Sequence, residues 1–208
     1  MDDNNSWKKY KFAFVDLEGS GGQDKENEEI LEIAIIKVEN GCIKGDIFHS
    51  LINPQREIRN YPWLKHGLTN KQLKDAPVLS DIETTVQEWL RGTYVVAHNA
   101  RVDWKLLKKK CQVKDVLGVL DTLKLSRNIF ADLKHHKLID IVNLLDLQKE
   151  IQNFTNDKEH RATYDCIATA LIFLDIVKNY YSEFVSIERI IKDCSIDDSE
   201  DIEQICLF

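Results

Sequence analysis

The chain has 208 residues, an apolar fraction of 43% and a net charge of −7. That length suits one α/β domain, or one domain plus a tail, with a sizeable buried core. No apolar run approaches the roughly 20 residues of a membrane helix, and the polar, acidic opening MDDNNSWKKYK is not a secretory signal, so a cytoplasmic location without a membrane partner is expected.

Cysteines 42, 111, 166, 194 and 206 are odd in number, widely spaced and lack a CxxC pair. They point to a reducing compartment rather than to a disulfide frame or zinc site. Six of the acids, and no Lys or Arg, fall between Asp193 and Phe208, which leaves residues 1–192 at −1. Lys105, Lys108, Lys109, Lys110 and Lys114 then form a local basic face on a near-neutral body. Such a run is also the ordinary solvated side of a helix.

Taken in chain order, KFAFVDL at 11–17 reads as a buried strand, followed by ILEIAIIKV at 30–38 and a strand at 43–52. The ENG at 39–41 predicts a hairpin between the last two. A loop with Pro54, Pro62 and Pro77 leads to a helix at about 80–91, with Ser80 as its cap. TYVVA at 93–97 is a short buried strand, a helix follows at about 102–111, and another strand lies near 116–120. Helices are expected at about 121–130, 136–147, 161–180 and 186–194. Three strands first, then strands alternating with helices, predict an α/β mixed sheet flanked by helices. The domain is expected over 1–194, with 195–208 as a flexible acidic tail.

Polar residues gather where apolar strands end. Asp16 and Glu18 are two apart on the first strand, so both project to one face. Two adjacent carboxylates repel, and oxygen-ligated divalent cations are the natural remedy. For an isolated pair, the simpler reading is that the strand ends at Asp16 and both acids lie in solvent. Asp103 follows the strand TYVVA and its polar end His98-Asn99, in the first turn of a helix, where a capping role would also account for it. His160 and Asp165 open the long helix five residues apart and can face one site.

Together these segments resemble the DEDDh exonucleases, the DnaQ-like branch of the ribonuclease H-like superfamily, over residues of about 10–180. His66-Gly67-Leu68-Thr69 with Asp75-Ala76-Pro77 resembles the family's HGIT…DAP stretch, and Asp121-Thr122-Leu123 its DT(L/M). The run HRATYDC at 160–166 is similar to the HRALYDC of the exodeoxyribonuclease X branch.

The resemblance implies two Mg²⁺ or Mn²⁺ ions. Asp16 would bridge them, Glu18 and Asp165 would share the first, and Asp103 would serve the second, with His160 as general base. It implies a ribonuclease H-like fold and 3′–5′ hydrolysis of single-stranded DNA 3′ ends to nucleoside 5′-monophosphates in repair or proofreading. RNA trimming and a non-catalytic clamp-bound or nucleic-acid-binding module stand as alternatives. Proofreading would need a polymerase partner. Leu17, Gly19, Ser20, His98, Asn99, Lys108 and Lys109 are the candidate substrate contacts. The glycines after Glu18 would let a nucleotide approach the backbone.

The chain departs from the family pattern at Gly22, where a large base-wedging residue is usual, and at Val102, where Phe is usual. The last five residues, QICLF, resemble a bacterial sliding-clamp-binding peptide, with Gln204, Leu207 and Phe208 as its contacts.

Overall fold

The computed structural model describes residues 6–21, 27–59, 64–182 and 184–197. Gly22, Pro62 and the expected clamp-binding residues Gln204, Leu207 and Phe208 lie outside the described residues. Five strands make one sheet: β1 (Phe12–Gly19), β2 (Ile30–Glu39), β3 (Cys42–Leu51), β4 (Tyr94–Ala97) and β5 (Gly118–Asp121). Their order is β3-β2-β1-β4-β5. The first three pair antiparallel, and β4 and β5 run parallel to β1. This is the expected mixed sheet.

The hairpin joining β2 to β3 turns on Asn40 and Gly41, at φ of 56° and 73°. Two consecutive left-handed residues suit a tight hairpin turn, and Asn-Gly is the pair that tolerates it best. Strand β2 is apolar through most of its length because both of its faces are covered.

On one face lie α5 (Leu138–Leu144), α6 (Gln148–Gln152), α7 (Ala162–Ile176) and α8 (Ile187–Cys194), with α4 (Thr122–Ile129) beside them. On the other lie α2 (Leu79–Leu90) and α3 (Arg101–Cys111). Alternation along β1 divides its side chains between the layers. Phe12 and Phe14 join the cluster under α7, and Ala13 and Val15 join the one under α2 and α3. Helix α7 is buried nearly all round, which explains its apolar run. Trp7, Phe12 and Phe14 each place a ring within 5.2–6.0 Å of Phe173.

Several boundaries moved for identifiable reasons. Helix α2 starts at Leu79, one residue before the expected cap Ser80, because Asp81 Oδ2 accepts the Val78 amide at 3.3 Å and closes the first turn. The helix expected to reach 180 is α-helical only to Ile176 and continues as a wider π turn, Val177–Tyr181. Two short helices were not anticipated, α1 (Asn70–Leu73) and α6. The first is stabilised by a reciprocal cap between Thr69 and Gln72. Ser195 and Ile196, at the start of the expected tail, are bonded to the β5 edge. Ser195 bridges Leu120, and the Ile196 amide donates to the Val119 carbonyl at 3.0 Å.

Phe173 is fully buried at the centre of the aromatic cluster. Phe173→Ala should lower the unfolding free energy by about 3–5 kcal/mol in a denaturant titration. Phe184→Ala, at a ring 74% exposed, should stay within about 0.5 kcal/mol of the parent.

Candidate active site

The site forms where β1 outruns its neighbour. Pairing of β1 with β4 ends at Phe14↔Val96, whereas pairing with β2 continues to Gly19. Asp16, Leu17 and Glu18 therefore lie beyond the β4 ladder. Asp103, in the first turn of α3, reaches into that opening, and its Oδ1 accepts the Leu17 amide at 3.1 Å.

From the opposite layer, the first turn of α7 brings Asp165 to the same place. One oxygen each from Asp16, Glu18 and Asp165 lies within 4.8 Å of the others. Asp103 stands outside this tight group, but its charge acts on both Asp16 and Glu18.

The electrostatics follow from burial and crowding. Burial, reinforced by the charges of Asp103, Asp165 and Glu18, pushes Asp16 well above the usual carboxylate range. Glu18 is pushed to about 8, by burial first and then by Asp165, Glu32 and Asp103, with Arg161 opposing them. Asp103 and Asp165 are each raised to about 7, again mainly by burial. Asp165 Oδ2 accepts the His160 amide at 3.2 Å, whereas Oδ1 is buried without a hydrogen-bond partner among the described residues. Hard oxygen donors, strong mutual repulsion and an orphaned buried carboxylate oxygen together fit a hard divalent cation such as Mg²⁺ or Mn²⁺.

His160 has φ of 67° and precedes α7, whose N-cap is Arg161. Its ring is half-exposed, with Nε2 3.1 Å from Glu159 Oε1. The left-handed backbone aims the His160 amide at Asp165, so one turn ties the histidine to the acid group.

The candidate substrate residues divide. Asn99 is exposed, in a left-handed conformation at φ 66°, with its amide donated to Asp121 Oδ1 at 2.9 Å. His98 uses both ring nitrogens internally, Nδ1 with Thr122 Oγ1 at 3.0 Å and Nε2 with the His136 carbonyl at 2.9 Å. Ser20 is buried, and its hydroxyl accepts the Glu29 amide at 3.0 Å. Gly21 takes a left-handed backbone at φ 93°, which favours glycine, whereas a Cβ on Gly19 would meet only the movable side chain of Glu28. Lys108 and Lys109 are exposed on the last turn of α3, Lys108 Nζ lies 6.0 Å over the Trp104 ring, and Lys110 pairs with Glu29 at 2.7 Å.

Sequence reasoning missed Glu32. It sits opposite Glu18 on β2, wholly buried, and accepts hydrogen bonds from Arg161 Nε and Nη2 at 2.9 and 2.7 Å. His49 Nε2 lies 2.7 Å from the same carboxylate. Burial alone would raise its pKa, but His49 and Arg161 hold it down at about 2. A lone acid inside the apolar run ILEIAIIKV was the available signal, since a buried charge needs a partner.

Solved structures resemble this fold. Exonuclease X in complex with 5′ overhanging duplex DNA matches with a TM-score of 0.62 at 24% identity, over 84% of this chain and 97% of that one. The nuclease domain of 3′hExo, a DEDDh family member bound to rAMP, matches with a TM-score of 0.66 at 17% identity, over 87% and 98%. Among curated relatives, the PolC-type DNA polymerase III of Caldanaerobacter subterraneus subsp. tengcongensis is 32% identical over 171 residues. The 3′-5′ exonuclease DinG of Bacillus subtilis is 32% identical over 175 residues. These alignments cover 81% and 82% of the chain but only 12% and 18% of the relatives' own lengths. The RNase_T family model, described as exonuclease, matches residues 13–173. That span runs from the head of β1 to the inside of α7 and takes in every strand and helix that carries one of the clustered acids, so the chain belongs to the RNase_T exonuclease family.

Proposed function

We propose that this protein is a divalent-cation-dependent 3′–5′ exonuclease that hydrolyses DNA from its 3′ end to nucleoside 5′-monophosphates. The observation that carries this reading is the convergence of Asp16, Glu18 and Asp165 within 4.8 Å, backed by Asp103, beside the accessible His160. Two Mg²⁺ or Mn²⁺ ions held by these four acids would supply Lewis-acid charge to the attacking and leaving oxygens.

Hydrolysis adds water across the bond between phosphorus and the 3′-oxygen. His160 takes the proton of the attacking water, and the 3′-oxygen leaves as the hydroxyl of the shortened strand. Asp165 holds the His160 backbone, and Glu159 sets the direction of its ring in the free protein. Asn99 is the exposed side chain at the end of β4 and would contact the terminal nucleotide, together with the backbone at Leu17 and Gly19. His98 and Ser20 act through the loops they brace. Lys108 and Lys109 would meet backbone phosphates without regard to sequence. The reading does not rest on the C-terminal QICLF.

The direct test is digestion of 5′-labelled single-stranded DNA and RNA of equal sequence with Mg²⁺, Mn²⁺ or EDTA. A cation-dependent ladder shortening from the 3′ end of DNA is expected. Asp16→Ala should abolish it and His160→Ala should slow it by about 10²–10⁴-fold. Preferential RNA cleavage would move the substrate to RNA, and no ladder on either strand would sink the exonuclease reading.

Charge-neutral substitution of Lys108 and Lys109 should weaken DNA binding and lower the slope of affinity against salt by roughly one to two phosphate contacts. An unchanged slope would return both lysines to a plain solvated face.

The raised acids also fix a pH dependence. In the folded protein Glu18, Asp103 and Asp165 hold protons up to about 8, 7 and 7, against reference values of 4.5, 3.8 and 3.8. Between those limits the folded state binds more protons than the unfolded one, so stability falls as pH rises. Glu32 acts oppositely, and its contribution is lost only as pH falls through the range from 4.5 towards 2. Cation-free protein should therefore have a lower denaturation midpoint at pH 8 than at pH 5. Mg²⁺ or Mn²⁺ should raise the midpoint more at pH 8, and Glu18→Gln should flatten the fall. Equal cation effects at both pH values would show that these acids do not hold the ion.

A further inference from the structure

Glu32 and Arg161 form a pair that the reaction proposed above does not use. The two residues are 129 apart in sequence, yet the guanidinium meets the carboxylate through two hydrogen bonds, Nε to Oε2 at 2.9 Å and Nη2 to Oε1 at 2.7 Å. Two further donors complete the carboxylate. His49 Nε2 lies 2.7 Å from Oε1, and the Ala162 amide donates to Oε2 at 3.4 Å. Glu32 itself is 0% exposed.

Position makes this arrangement more than a stabilising contact. Glu32 is the register partner of Glu18, so it is fixed to the same rung of the sheet as one of the clustered acids. Arg161 is the N-cap of α7 and the direct neighbour of His160. The segment it anchors contains a left-handed residue, His160, which spends its amide on Asp165 rather than on a helix. A left-handed non-glycine residue persists only where its surroundings over-determine it. A planar fork held at two points fixes orientation as well as distance, which a single point charge does not.

We propose that Glu32 and Arg161 are positioning residues that lock the His160–Asp165 turn of α7 to the β1–β2 rung carrying Glu18. Neither touches substrate. Their effect on hydrolysis rests on the exonuclease reading, but their effect on the turn does not.

Three variants separate positioning from plain stability. Arg161→Gln leaves a buried carboxylate without its main partner and lowers stability. The double variant Glu32→Gln with Arg161→Gln removes both charges, so folding recovers while the fork stays lost. Arg161→Lys keeps the charge without the fork. Two quantities are read well below each variant's melting temperature: kcat and KM on the strand that the wild type digests, and hydrogen exchange at residues 159–165 in cation-free, DNA-free protein.

The expected result for the double variant is a melting temperature at or near that of the wild type, with kcat still about 10–100-fold down and KM within about threefold. Exchange at the His160 and Ala162 amides should rise at least about tenfold, and Arg161→Lys should fall between wild type and Arg161→Gln in kcat. Recovery of wild-type kcat in the double variant, or unchanged exchange across 159–165, would overturn the proposal. Absence of nuclease activity in the wild type would refute the exonuclease reading instead. The turn would then be judged on exchange alone, a rise supporting the proposal and no rise overturning it.

Discussion

Four carboxylates converge at the open end of one strand, and their mutual repulsion is the constraint to which the surrounding structure answers. Asp16, Glu18, Asp103 and Asp165 come from three elements on both sides of the sheet. Each is held out of the ordinary carboxylate range mainly by burial and then by neighbouring charges. A chain would not keep such a group together for stability, because separating the acids into solvent would relieve both costs. The arrangement persists because rigid backbone imposes it. Asp16 and Glu18 are fixed by the pleat of β1, Asp103 is tied to the Leu17 amide, and Asp165 is tied to the His160 amide.

Glu32 shows the contrasting solution on the same rung. It is as buried as any acid in the site, yet its carboxyl sits near 2 because a fork from Arg161 and a contact from His49 satisfy its oxygens. Glu18, directly opposite on β1, sits near 8. Two glutamates in register, one lowered by its partners and one raised by burial and neighbouring acids, mark the boundary between scaffold and site. Arg161 also opposes the rise at Glu18, so the scaffold's cation moderates the repulsion without neutralising it. The clustered carboxylates are left to an exogenous cation, whose charge would stabilise the attacking and leaving oxygens of a phosphodiester.

What could be read in the sequence followed local pattern. The apolar run into Asp16 and Glu18, the Asn-Gly turn and the strand ending at His98-Asn99 each carry their signal within a few residues, and the sheet follows from them. The short α6 was missed because five residues cannot show a helical period. α1 carries a local signal, the Thr69…Gln72 capping box, but its four residues likewise show no helical period. His98 and Ser20 enter as candidate substrate contacts through the family resemblance. Their hydrogen-bond partners His136 and Glu29 lie 38 and 9 residues away, and no local pattern reveals those bonds. Glu32 gave only the local signal of a lone acid in an apolar run, and its side-chain partners His49 and Arg161, 17 and 129 residues away, are not legible there.

The two faces of β1 divide the work of the molecule. Phe12 and Phe14 point into the aromatic cluster around Phe173, and Asp16 and Glu18 continue that same face towards α7. The packing that buries α7 against Phe14 therefore also sets the distance from Asp165 to Asp16. Cys166, next to Asp165, lies 3.2 Å from the Phe14 carbonyl, and this contact fixes the helix against the strand two residues before the first acid. Ala13 and Val15 face the other layer, where Trp104 follows Asp103 on α3. Core and site are successive positions on the same strands and helices. Small changes in core volume beneath Phe173 or Trp104 are thus expected to reach the acids as shifts in spacing before they appear as loss of fold.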